Sequence, residues 1–104
     1  MAKHLDSWQK SLKEIWRGNV RIEFKYIGET GTSKRQVQLT SILKAPKGIL
    51  YLQGYCSLRK EERRFRLSEI VSKIKNLETG KSIIAPDFVC SLGIDEDTAY
   101  DGAK

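Results

Sequence analysis

The side chains in this sequence best suited to chemistry are arginines interleaved with tyrosines. Tyr51 and Tyr55 stand in one apolar run, and Arg59, Lys60, Arg63, Arg64 and Arg66 follow directly. A guanidinium offers a planar fork to phosphate oxygens and a flat face for stacking, and a phenol ring is a platform for a base. The combination suits single-stranded DNA or RNA, or a nucleotide-like anion. Lys25, Lys34 and Arg35 extend the set. The same charges also suit a solvated face in which Arg64 and Arg66 pair with Glu61, Glu62 or Glu69.

Catalytic groupings are missing. Glu61 and Glu62 are neighbours, which in a strand point to opposite faces and cannot work as an acid–base pair. Gly28-x-x-Gly31 lacks the lysine and helix of a phosphate loop and reads as a hairpin turn. His4 is the single histidine, and Cys56 and Cys90 lie far apart with no partner motif, whereas zinc takes about four ligands. We therefore expect no catalytic residues, no metal and no cofactor. The cysteines read as free thiols, Cys56 on an inward face as a small hydrophobe.

The 104 residues carry 19 Lys and Arg against 13 Asp and Glu, a net charge of +6. The excess is local. Residues 17–75 hold +9, residues 1–16 hold +1, and residues 82–104 hold −4, with Asp87, Asp95, Glu96, Asp97 and Asp101 against Lys104. One domain is expected at this length, with a core that needs no disulfide or metal to support it. No apolar run approaches the roughly 20 residues of a membrane helix, and Lys3, His4 and Asp6 stand where a signal peptide is apolar. The expectation is a cytoplasmic protein with no membrane contact.

The elements that must hold the arginines follow from periodicity. Leu5, Trp8, Leu12, Ile15 and Trp16 recur at helical spacing, so an amphipathic helix is expected over residues 3–16, ended by Gly18-Asn19. Its tryptophan face either packs as core across the rest of the domain or docks another chain. Alternation then predicts strands over residues 20–26, 35–43, 49–56 and 63–67, with glycine- or proline-bearing turns at residues 28–33 and 45–48. Antiparallel pairing of the third and fourth puts Tyr51, Tyr55, Arg64 and Arg66 on one solvent-side face. Ser68 caps a helical turn through Val71, and residues 73–78 form a fifth strand or prolong that turn. Pro86, Asp87 and Gly93 bracket a short helix carrying Phe88, Val89 and Leu92. Residues 95–104 read as a mobile acidic tail after a single domain over residues 1–94. The fold class is mostly β (α+β): a small, strongly bent, five-stranded antiparallel barrel, because closure covers the edges of so small a sheet.

Residues 22–70 resemble the WYL domain. Its Trp-Tyr-Leu tripeptide stands here as Leu50-Tyr51-Leu52, and Arg63-Arg64-Phe65-Arg66-Leu67-Ser68-Glu69-Ile70 is similar to the family's Arg-x-Phe-Arg-Leu-Asp-Arg-Ile, with Ser68-Glu69 replacing Asp-Arg, which removes a cation and adds an anion beside the implied pocket. The resemblance implies an Sm-like or Src-homology-3-like barrel acting as a regulatory, ligand-sensing module in bacterial transcription control or defence. Its implied ligands are nucleic acids, single strands above all, or nucleotide-like molecules. Carried over residue by residue, the implied site is Tyr51, Arg63 and Arg66, joined by Arg59 and Arg35. The family's N-terminal helix-turn-helix has no counterpart in sixteen residues, so a separate DNA-binding protein is an expected partner. The competing expectation is an interaction module that forms homo-oligomers through the tryptophan face or an edge strand and takes no nucleic acid.

Overall fold

A computed structural model describes residues 11–28 and 31–104. The chain builds β1 (Lys13–Gly28), β2 (Gly31–Lys44), β3 (Leu50–Cys56), β4 (Glu61–Arg66), β5 (Ile74–Asn76) and β6 (Ser82–Ile83), then α1 (Ala85–Ser91) and α2 (Glu96–Gly102). Among the described residues the strands form one antiparallel sheet in the order β4-β3-β2-β1-β5-β6.

Alternation sets the register of the central hairpin. Val20 lies opposite Leu39, Ile22 opposite Val37, Phe24 opposite Arg35 and Tyr26 opposite Ser33. A slip by one residue would turn the apolar set to solvent. In β3, Leu50, Leu52, Gly54 and Cys56 all point inward and are buried. Gly54 is required there: a Cβ would stand 2.1 Å from the Gln38 carbonyl oxygen.

The sheet is curled rather than closed, which corrects the expected five-stranded barrel. After β4, the turn Leu67–Glu69 returns the chain to the far edge of β1, where Ile70 bridges Tyr26 and the Val71 N–H donates to the Lys25 carbonyl at 2.9 Å. Across the remaining gap the Arg66 N–H donates to the Tyr26 hydroxyl at 3.0 Å. A side-chain contact thus stands where a closing ladder would run. Ser68 makes no capping hydrogen bond in that turn.

The helices cover the core instead. Ala85, Phe88 and Val89 of α1 and Ala99 of α2 join Ile22, Phe24, Leu39, Leu52 and Phe65 in one buried cluster. Burying each large side chain contributes roughly 1.5–3 kcal/mol. Pro86 and Asp87 occupy the first turn of α1 as their types require. Residues 95–104 are not a loose tail: Asp95 caps α2 by accepting the Thr98 N–H at 3.0 Å, and the Tyr100 hydroxyl donates to Asp87. Two small residues explain the packing, since Ala99 is fully buried and Gly102 lies against Leu50, where a Cβ would come within 2.3 Å of Cγ. Acidic composition concealed this small inward face.

The expected helix over residues 3–16 fares differently in its two parts. Residues 3–10 lie outside those described. Lys13 and Trp16 are extended in β1, opposite Lys44 and Ile42. Register shifts between Glu14 and Trp16 and between Arg17 and Val20 let the adjacent Ile15 and Trp16 both pack on the core. Gly18 ends no helix; a Cβ there would strike the Trp16 ring at 2.4 Å. Bulges in a strand mimic helical spacing because each adds a residue to the period of two.

Candidate anion cleft

The arginines and tyrosines singled out by sequence divide between two faces of the sheet. On the outer face, Tyr51 pairs with Arg66, Gln53 with Arg64 and Tyr55 with Glu62, so Tyr51, Tyr55, Arg64 and Arg66 share a side as antiparallel pairing requires. Arg64 Nε donates to Gln53 Oε1 at 2.7 Å. Arg63, opposite Gly54, falls on the other side with Phe65.

That inner side borders a concavity that Arg64, on the outer face of the edge strand β4, also reaches. A cleft of about 690 Å³ is lined by Arg35, Arg59, Arg63 and Arg64, together with Tyr26, Phe65 and Glu69. Strand β2 supplies Arg35 at a position whose parity is that of Val37 and Leu39, so its stem is forced inward: only 5% of the residue is exposed. Strand β4 supplies Arg63 and Phe65, and the turn after β3 supplies Arg59.

Arg35 is the unusual member. Its Nε donates to Ser33 Oγ at 2.9 Å, its Nη1 approaches Cys56 Sγ at 3.8 Å, and its Cζ lies 5.7 Å from the centroid of the Phe65 ring. All three neighbours are uncharged. Among the described residues no carboxylate pairs with it. A buried cation ordinarily has a counter-charge, because desolvation costs several kcal/mol that neutral hydrogen bonds only partly offset. Arg59 also has no hydrogen bond or ion pair among the described residues. Arg63 pairs with Glu61 at 3.0 Å across exposed surface, a contact worth little in water and readily exchanged.

The aromatic wall holds the cleft in shape. Phe24, Tyr26 and Phe65 meet edge to face, with Tyr26 and Phe65 centroids 4.9 Å apart. The Tyr26 hydroxyl accepts the Arg66 N–H and donates to Glu69 Oε1 at 2.9 Å. Burial pushes its pKa above the usual phenol value, with the nearby Glu69 carboxylate acting in the same direction.

Sequence reasoning missed Tyr26 and Phe65 as lining groups, placed the Glu69 anion beside the pocket through the family resemblance, and treated Arg35 as an extension of the outer patch. The alternation of β2 carried the signal for Arg35. Among the described residues no three His, Cys, Asp or Glu side chains gather as a metal site, and no helix is long and apolar enough to cross a membrane. Cys56 is a buried free thiol under Arg35, and Cys90 is free and half-buried.

The family model of the WYL domain matches residues 9–74. The chain belongs to the WYL domain family. The match covers β1 to the start of β5, the segment that supplies every arginine of the cleft. WYL domains are generally regulatory, ligand-sensing modules and not typically enzymes. No curated protein and no solved structure matched the chain.

Proposed function

We propose that this WYL domain senses an anionic, nucleotide-like ligand, a nucleotide or a segment of single-stranded nucleic acid, by taking its phosphate into the cleft floored by Arg35. One observation carries the reading: a buried guanidinium with uncharged neighbours, opening on a cleft that three further arginines line. Phosphate supplies the missing counter-charge, its oxygens accepting the guanidinium N–H groups that Ser33 and Cys56 leave open. Arg59 and Arg63 supply the remaining charge, and Tyr26 with the rim residues Ile27 and Leu58 supplies surface for a base or sugar. The outer tyrosines and Arg66 take a lesser part in this reading, because Tyr55 lies between Gln38 and Glu62 and neither it, Tyr51 nor Arg66 lines the cleft floored by Arg35.

Fluorescence anisotropy with a short labelled, 5′-phosphorylated single strand, run at two salt concentrations, tests the proposal. The expected result is binding that weakens steeply with salt and is lost in Arg35→Met. Salt-insensitive binding, or binding unchanged in that variant, contradicts it.

A further inference from the structure

The arginines do not account for the whole cleft. Glu69 lines it too, yet among the described residues it forms no ion pair with any of them. It is held by another device. The Tyr26 hydroxyl accepts the Arg66 backbone N–H at 3.0 Å, and a backbone N–H can only donate, so the single phenolic proton is committed to Glu69 Oε1, 2.9 Å away. Oε1 keeps a second lone pair, and Oε2 has both of its own. Phe65 adjoins both parts: the Arg35 guanidinium lies 5.7 Å from its centroid, and the centroid of the Tyr26 ring that holds Glu69 lies 4.9 Å from it.

The cleft is therefore bipolar. The arginines present only donors and positive charge, and Glu69 presents only acceptors and negative charge. Simple phosphate gains from the first and is repelled by the second. The complementary ligand is anionic at one part and carries adjacent N–H donors at another. Guanine alone among the common bases has two neighbouring donors on one edge, N1–H and N2–H₂, spaced to meet the two oxygens of a carboxylate. Adenine and cytosine set a ring-nitrogen acceptor beside their amino group, and uracil and thymine flank N3–H with carbonyl oxygens, so each of these turns a lone pair toward the carboxylate. Ile27 and Leu58, 47% and 57% exposed, line the same cleft and offer apolar cover to a purine.

We infer that the cleft selects a guanine nucleotide, with its phosphate on the arginines around Arg35 and its base edge on Glu69, either as the free nucleotide or as a guanine within a single strand. The inference rests on the anion-cleft reading above and adds the base preference to it.

Isothermal titration of the full chain with GMP, AMP, CMP and UMP tests it, together with two 5′-phosphorylated tetranucleotides, one of thymidines only and one with a single guanine. GMP is expected to bind at least about tenfold more tightly than the other three, the discrimination of one good bidentate pair. In Glu69→Gln, whose amide replaces one acceptor by a donor, the preference should fall to about threefold or less while AMP affinity stays within about twofold. The exposed position of Glu69 makes that variant compatible with folding, and Glu69→Ala should give the same loss of preference. A preference seen only between the tetranucleotides identifies the strand as the ligand form, and one seen only among mononucleotides identifies the free nucleotide. Equal affinity for all four nucleotides, with no guanine preference between the strands, overturns the base assignment and leaves the anion cleft standing. A GMP preference that survives Glu69→Gln overturns the role of Glu69. Absence of binding by every nucleotide and strand overturns both readings.

Discussion

Replacing Arg35 with methionine should stabilise the fold while abolishing ligand binding. Methionine keeps an unbranched stem that can follow the path of the arginine between Phe65 and Cys56, and it carries no charge to desolvate. The substitution loses the hydrogen bond to Ser33, worth about 1 kcal/mol, and the guanidinium–Phe65 contact, worth up to about 2 kcal/mol when desolvated. It relieves a desolvation cost of several kcal/mol, borne by a side chain with no anion beside it among the described residues. The expected net is a gain of about 1 kcal/mol, or roughly 4–8 °C in Tm for a domain of this size. Thermal and urea unfolding in a buffer free of phosphate and sulfate read it. Adding a ligand at about 100 times its Kd should then raise the wild type by about 2.7 kcal/mol and leave the variant unmoved. A loss of more than about 2 kcal/mol in the variant without ligand would refute the reasoning, because Arg35 would then be a net structural support rather than a cation held for a ligand.

Three other outcomes follow from the same geometry. Arg63→Ala should weaken binding of the phosphorylated strand about tenfold, and Arg66→Ala, on the outer face, by less than about twofold, as measured by anisotropy; the reverse order would move the site to the Tyr51 and Tyr55 side. Gly102→Ala should cost about 1–3 kcal/mol in urea unfolding and expose residues 95–104 to protease, since its Cβ meets the buried Leu50 side chain; an unchanged midpoint would mean that α2 does not pack as described. The Tyr26 pKa is raised in the fold, so its contribution should be complete below its ordinary value of 10.0 and fall away as pH rises through the higher folded value. The stability gap between wild type and Tyr26→Phe should accordingly be constant from pH 7 to about 9 and narrow above 10, and a gap that widens there would contradict the assignment.

The parts of the fold that follow strict alternation were legible. Ile22, Phe24, Val37, Leu39, Leu52 and Phe65 fall on the face that parity assigns, and the pairing of Tyr51 with Arg66 follows from the strand order. Parity was also sufficient to turn Arg35 inward, but an arginine among charged neighbours reads as surface unless its alternation is weighed above its type. The extension of β1 back to Lys13 was hidden by bulges that bring Ile15 and Trp16 to the core together. The open sheet was hidden for another reason: Phe88, Val89 and Ala99 close the core from the C-terminal helices, so the strands need not close on themselves. The resemblance put the Glu69 anion beside the pocket, but the tertiary contact with Tyr26 that holds it there spans 43 positions, and no local pattern announces that partner.

The most direct measurement is the side-chain Nε–Hε resonance of Arg35 in a ¹⁵N–¹H spectrum, recorded while a 5′-phosphorylated single strand or a nucleotide is added. That group already donates to Ser33 in a site shielded from water, which slows its exchange and favours its detection. The account predicts a saturable shift of this resonance, in step with those of Arg59 and Arg63 and absent in Arg35→Met. A saturating ligand that leaves Arg35 in place and shifts only the outer Arg66 and Tyr55 signals would contradict it.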